Sequence, residues 1–247
     1  LPTYLYAGGW NGYMSQIRHS KGNHRYPFEP RRETLTTSTS FQNGITLTAS
    51  NTKLLTAHAS SLTDGSATGH TVTAAGNAAV SSWAPIGGMK SVYFDGTGDK
   101  LTIASHSDFA IGTGNFTIEF WVYTPAIGTN MVILEQGSDQ IRIMQTSGGG
   151  FNVYPSGPAS PALSAAKWYH IAVVRSGTGS DETFIFVNGS LAHATTMTAN
   201  ISAGDILIGL RPDNSSPYTG YISNLRIIKG QAIYSKNFTP PSEAMYG

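Results

Sequence analysis

Hydrolysis of a glycosidic bond by acid–base chemistry needs two carboxyls across the bond, about 5–5.5 Å apart for retention and about 6.5–9.5 Å for inversion. A β-strand supplies such a pair from alternate residues, as in E-x-D-x-E, because residues i and i+2 share a face. The chain contains no such run. Glu119 stands alone between Ile118 and Phe120, and Glu135 is followed by Gln136 and Gly137. Asp181 and Glu182 are adjacent, so they would point to opposite faces of a strand, and they lie in a Gly/Ser-rich turn. Ser–His–Asp catalysis has no G-x-S-x-G elbow to start from, and the seven His are scattered. With no Cys there is no thiol nucleophile, thiolate metal site or disulfide framework. Asp95 and Asp99, in Asp-Gly-Thr-Gly-Asp, have the spacing of half a calcium loop, but no Glu follows to complete it, which favours a plain turn. The residues predict a protein without a catalytic constellation.

The elements that would position these residues are short. Segments 91–94, 116–123, 131–134, 141–144, 170–175, 183–187, 206–210 and 221–228 are rich in Val, Ile, Phe, Tyr and Thr and are bounded by Gly, Pro, Asn, Asp or Ser. They read as strands. Asp95-Gly96 and Asn188-Gly189 read as hairpin turns, since both residue types tolerate φ > 0. Helical periodicity is absent apart from one short turn expected near 162–167. The pattern is all-β and fits an antiparallel β-sandwich or jelly roll. In a sandwich, Trp121 and Trp168 read as large fillers between the sheets, His170 as a hydrogen-bonded histidine, and Arg226 as one half of a strand-end ion pair or a carbonyl cap. Fifteen Lys and Arg against 14 Asp and Glu leave a net charge of +1, and only 12% of the 247 residues are charged. That excludes the basic excess needed for nucleic acid or an anionic membrane, and no apolar run is long enough to insert into a bilayer. The chain starts at Leu1 without a basic, then apolar, leader, which suggests a processed start or a piece of something longer.

One internal repeat is visible. Gly12-Tyr13-Met14-Ser15-Gln16-Ile17-Arg18 aligns with Gly220-Tyr221-Ile222-Ser223-Asn224-Leu225-Arg226, and Lys21-Gly22 with Lys229-Gly230. The match continues through Tyr26 and Tyr234, then Phe28 and Pro30 against Phe238 and Pro240 after a two-residue slip. A tandem array explains it: residues 1–40 as the closing strands of a preceding repeat plus a Thr/Ser-rich linker, and residues 45–247 as the next full repeat.

Four motifs carry a family resemblance. Phe94-Asp95-Gly96 with Asp99 and Leu101, Asn115-Phe116-Thr117-Ile118-Glu119-Phe120-Trp121-Val122, Trp168-Tyr169-His170 through Arg175 with Val187-Asn188-Gly189, and Gly220 through Ile227 stand in the order found in the laminin G-like branch of the concanavalin A-like lectin/glucanase superfamily. The resemblance covers about residues 53–241. Asn51-Thr52-Lys53-Leu54-Leu55, Asp64, His70-Thr71-Val72 and the closing Asn237-Phe238-Thr239-Pro240-Pro241 are also similar to tandem repeats of large bacteriophage structural proteins. The resemblance implies a concanavalin A-like jelly roll in a virion, as a fibre module or capsid decoration. Its partners would be other virion subunits or neighbouring repeats in a homo-oligomeric assembly, together with a host surface glycan. Bacterial surface adhesins and carbohydrate-binding modules of larger secreted proteins share such repeats and stand as the alternative. No cofactor is required on this reading. Many laminin G-like domains hold Ca²⁺ on an early Asp and an acidic residue of the last strand; Asp64 matches the first position, but Ser223-Asn224 replaces the second, and a turn-forming role competes for Asp64. Sugar sites of this superfamily sit in rim loops, where an aromatic ring stacks on the sugar and polar groups bind its hydroxyls. Loop 211–218, with Arg211, Asp213, Asn214 and Tyr218, and loop 151–155, with Tyr154, have that composition, against the simpler reading of ordinary loop polarity.

Overall fold

Alternation of apolar and polar residues at period two gives each strand a core face and an outer face. The computed structural model describes residues 47–155, 157 and 159–241. The segment expected to close a preceding repeat, residues 1–40, lies outside the described residues. Fourteen strands follow in order: β1 (Thr52–Thr56), β2 (Val72–Ala75), β3 (Ala79–Ser81), β4 (Ser91–Asp95), β5 (Lys100–Ile103), β6 (Phe116–Tyr123), β7 (Met131–Gln136), β8 (Ile141–Gln145), β9 (Phe151–Tyr154), β10 (Trp168–Arg175), β11 (Thr183–Val187), β12 (Ser190–Thr195), β13 (Ile206–Ile208) and β14 (Thr219–Lys229). The described helical residues form two single 3-10 turns, Ala49–Asn51 and Ser107–Phe109, and the turn expected near 162–167 is a set of bends instead.

All pairings are antiparallel and make two sheets. One has eight strands in the order β12-β11-β10-β6-β14-β4-β3, with β1 added on β14, and the other has six in the order β2-β5-β13-β7-β8-β9. β14 is the longest strand. Its first half pairs with β4 and its second half with β1, while β6 lies along its other side. The two sheets form the jelly-roll sandwich expected for the concanavalin A-like fold. Phe94, Ile118, Phe120, Val173 and Ile222 of one sheet close against Leu101, Ile133, Ile143, Phe151 and Ile206 of the other, all essentially without solvent contact. Each such side chain contributes about 1.5–3 kcal/mol by leaving water.

The Asn188-Gly189 turn joins β11 to β12 as a two-residue hairpin, with φ of 49° and 76°. Gly189 cannot be replaced there, because a Cβ would sit 1.9 Å from the Phe238 carbonyl oxygen. Asp95-Gly96 does not form the expected hairpin. β4 and β5 belong to different sheets, so the segment between them is a corner that carries the chain across the sandwich. Asp99, 1% exposed, ties that corner: its carboxylate accepts the Asp95 N–H at 2.8 Å and the Asn77 N–H at 2.7 Å. Asp99 of the Asp-Gly-Thr-Gly-Asp run is thus a structural tie of the corner. Asp99→Ala removes both charge-assisted bonds and strands two amides, so it should lower unfolding stability by about 2–4 kcal/mol, read as a reduced urea midpoint at unchanged m-value.

Candidate functional site

On β6, Ile118, Phe120 and Val122 point into the core, so Glu119, Trp121 and Tyr123 point away from it. The same parity turns Trp168 and His170 of β10 outward, beside the inward Ile171 and Val173. Trp121 and Trp168 are therefore not the inter-sheet fillers expected from the sequence. They stand on the outer face of the eight-stranded sheet. Cross-strand register assembles a row there: Trp168 faces Tyr123, Tyr123 faces Tyr221, and Tyr221 faces Tyr93. Ring centroids along the row are 5.6, 6.0 and 4.9 Å apart. With strands about 4.8 Å apart, the row crosses four strands over about 14 Å. Trp83, on the loop after β3, adds an edge-on ring 6.0 Å from Tyr123 and is 52% exposed; Tyr93 is 37% exposed. Beside the row lies a groove of about 360 Å³ lined by Ile86, Trp121, Trp168, Asn188, Pro240 and Pro241. Among the described residues its lining contains no charged side chain. The indole N–H groups of Trp121 and Trp168 meet no acceptor among the described residues.

The other half of this face is sealed. The segment after β14 folds back over it, and Ile233 and Tyr234 join Leu47, Ala172, Val174, Phe186 and Ile228 in a second apolar cluster outside the sheet. Beneath it is a charged network. Arg226 donates through Nε at 2.7 Å and through its terminal nitrogen to Oε1 of Glu119. The Tyr234 hydroxyl donates to Glu119 Oε2 at 2.8 Å, and His170 Nε2 lies 3.2 Å from the same oxygen. Burial alone would raise the Glu119 carboxyl, but Arg226 and His170 outweigh it and hold it down at about 2. The Tyr234 hydroxyl moves the other way, pushed well up by burial and by the Glu119 charge. The expected ion-pair role of Arg226 is thus found, inside the sheet face rather than at a strand end. The strap also defines the groove. Phe238 stacks on Tyr234 with centroids 3.5 Å apart, its N–H donates to the Gly189 carbonyl at 2.8 Å, and Pro240 and Pro241 form the groove wall immediately after it.

The residues proposed from the two rim loops have different fates. Tyr218 is fully buried; its ring packs 5.9 Å from Phe94 and its hydroxyl donates to the Tyr123 carbonyl at 2.7 Å. It has no free face for a sugar, and burial pushes its hydroxyl well above the ordinary phenol range. Arg211 is held by Glu135 at 3.0 Å and Asp139 at 3.1 Å, with Asp213 at 3.6 Å. Asp213 is exposed and accepts from Ser215, while Asn214 is exposed with φ of 58°. Tyr154 is 41% exposed on the edge strand β9, with the Arg142 guanidinium 4.8 Å over its ring. Arg142 also pairs with Asp139. Arg211 and Tyr154 thus belong to one polar patch on the outer face of the six-stranded sheet, joined through Asp139 and Arg142, two residues the sequence reading did not single out.

Asp64 does not act as an open ligand. Its carboxylate accepts the N–H groups of Leu55, Ser66 and His70 at 2.8–2.9 Å and the Ser66 hydroxyl at 2.7 Å. A ring of donors does not fit a cation that needs 6–8 oxygen ligands. Nor does the last strand help, because Ser223 and Asn224 are buried within their own hydrogen bonds. Asp64 ties a turn, the alternative weighed for it.

A laminin G-type family model, described as the concanavalin A-like lectin/glucanases superfamily, matches residues 95–232. No curated protein matches the chain. Among solved structures, the fold resembles a botulinum neurotoxin type C structure (16% identity, TM-score 0.56, 75% of this chain and 49% of that one). It also resembles the botulinum neurotoxin serotype G binding domain (16%, TM-score 0.57, 74% and 49%). The binding domain of Paraclostridial Mosquitocidal Protein 1 is similar too (12%, TM-score 0.57, 75% and 50%). The match takes in about half of each solved chain, and at these identities it shows the fold alone.

Glu119→Gln should destabilise the protein at pH 7 by about 3–5 kcal/mol, because it leaves Arg226 buried without its counter-charge. The folded-state pKa of Glu119, about 2, lies below its ordinary 4.5, so the stability it supplies is full above pH 4.5 and is lost as pH falls toward 2. Urea midpoints measured from pH 6 to pH 2.5 should fall steeply for the wild type and less steeply for Glu119→Gln.

Proposed function

The chain belongs to the concanavalin A-like lectin/glucanases superfamily, and from that premise we propose that it is a non-catalytic, lectin-like module that holds a surface glycan on its open aromatic face. The observation that carries this reading is the Trp168–Tyr123–Tyr221–Tyr93 row with the Trp121/Trp168 groove beside it. Aromatic faces bind the apolar C–H faces of sugar rings while neighbouring polar groups take the hydroxyls. The row is long enough for an oligosaccharide, and an uncharged lining favours a neutral one. Binding rather than turnover is supported by the placement of the acids. Glu119 is sealed under the strap against Arg226, and Glu135 with Asp139 is locked to Arg211 and Arg142 on the opposite sheet. Neither arrangement flanks the groove with a free acid and base.

The module is read as part of a virion, as a fibre repeat or capsid decoration, in contact with neighbouring repeats and subunits of a homo-oligomeric particle. Support comes from the repeat of Gly12–Arg18 residues at Gly220 to Arg226, the near-zero charge and the absence of Cys. A bacterial adhesin or a binding module of a larger secreted protein is the second reading. It is favoured by the solved neighbours, toxin structures about twice as long as the matched part, among them the serotype G binding domain and botulinum neurotoxin type C, whose cell entry depends on interaction with two ganglioside molecules.

The test is affinity electrophoresis or a glycan array with capsule, lipopolysaccharide and wall polysaccharides of candidate hosts. Trp168→Ala should weaken binding of the recognised glycan by at least about tenfold, or ~1.4 kcal/mol, whereas Tyr154→Ala on the opposite sheet should leave it unchanged. Equal binding by Trp168→Ala, or loss in Tyr154→Ala alone, would overturn the aromatic face as the site. Immunogold label on particles supports the virion reading; label on cells alone favours the adhesin.

A further inference from the structure

At the sandwich edge, away from the aromatic row, three side chains from two separate segments converge. His70 precedes β2, while His106 and Asp108 flank the start of the 3-10 turn Ser107–Phe109. His70 Nε2 lies 3.2 Å and His106 Nδ1 3.4 Å from the same oxygen, Oδ2 of Asp108. One ligand atom from each of the three lies within 4.8 Å of the others. We propose that His70, His106 and Asp108 form a binding site for a divalent transition metal of the zinc class, with water completing the coordination.

Two of the three ligand separations match the ion, and the third, between the two imidazole nitrogens within 4.8 Å, closes by a turn of the exposed His106 ring. Bonds of about 2.0–2.1 Å in a tetrahedron place neighbouring ligand atoms about 3.3–3.4 Å apart, and the two separations from Oδ2 are 3.2 and 3.4 Å. The donor set selects the metal. Two imidazoles and one carboxylate suit Zn²⁺, Ni²⁺ or Cu²⁺, whereas Ca²⁺ and Mg²⁺ require oxygen. The supports are in place before any ion arrives. The backbone N–H of His70 is fixed by Asp64 at 2.8 Å, and its ring leans on Phe109 at 4.8 Å. Thr68 donates to Asp108 Oδ2 at 2.6 Å, and Lys53 holds the other oxygen, Oδ1, at 3.2 Å. His106 is the adjustable member: its side chain is 46% exposed, and Nδ1 accepts only a 3.1 Å bond from the Asp108 N–H, which the ion would replace. The Lys53 charge weakens the site relative to a structural zinc site, so affinity on the order of micromolar is expected. The bound ion would staple the loop before β2 to the turn after β5. Asp64 enters only indirectly, by fixing the backbone of a ligand.

The test uses the full chain. Thermal melts and isothermal titration with ZnCl2, NiCl2, CaCl2 and MgCl2 should show binding and a rise of about 5 °C or more in Tm for Zn²⁺ and Ni²⁺ at a hundredfold excess over Kd, and none for Ca²⁺ or Mg²⁺. His106→Ala, compared with its own metal-free melt, should lose the zinc shift; Asp108→Asn should lose it as well. Absence of a zinc-dependent shift in the wild type, an equal shift in His106→Ala, or an equal response to calcium would overturn the site. Glycan binding should not depend on the metal, so this result stands or falls apart from the aromatic face.

Discussion

A carboxylate and a guanidinium on the face of a β-sheet must either stay in water or be covered and mutually satisfied. Glu119 and Arg226 take the second course. Their strands are neighbours at the middle of the eight-stranded sheet, and the pair is closed from above by Tyr234, which gives its hydroxyl to Glu119 and its ring to the strap. The strap can lie there because Gly189 leaves room for the Phe238 carbonyl. Once it has crossed the charged half, the chain reaches Pro240 and Pro241, which wall the open groove. One buried ion pair thus divides a single sheet face into a sealed half and an open aromatic half. His170 sits on the boundary, 3.2 Å from Glu119 on one side and with its ring 5.2 Å from Trp121 on the other.

The two outer faces of the sandwich differ in kind. On the eight-stranded sheet the charges are inside and the rings are outside. On the six-stranded sheet the order reverses, with the exposed chemistry made of Arg211, Asp139 and Arg142 beside one ring, Tyr154. Charge pairs so arranged satisfy one another and gain little from a neutral ligand, whereas rings stripped of water gain from any apolar surface laid on them. This contrast favours the eight-stranded face for the proposed glycan.

Much of the fold was legible in the sequence because period-two alternation and turn chemistry are local. β6 and β11 fall where the residues place them, and Asn188-Gly189 closes its hairpin. Asp95-Gly96 has equally good turn chemistry, but a sequence does not record whether the next strand stays in the same sheet. The site was legible only in part. Trp121 and Trp168 look like core by size; the signal against it was Glu119, two residues before Trp121 and therefore on the same face. Tyr218 was misplaced for the converse reason, since a loop rich in Asp, Asn and Ser suggests exposure, while Tyr218 is the residue that returns the chain to the core. The His70, His106 and Asp108 cluster joins positions more than 35 residues apart, with no local spacing to reveal it.

The most direct measurement is a titration of isotope-labelled protein with host surface glycan, followed by the indole and backbone N–H signals in NMR. The indole N–H signals of Trp121 and Trp168 should shift together as the groove fills, along with the backbone around Tyr123 and Asn188. Stationary indole signals, with shifts confined to the surroundings of Arg142, Tyr154 and Arg211, would place the glycan on the other sheet and contradict the role given to the aromatic face.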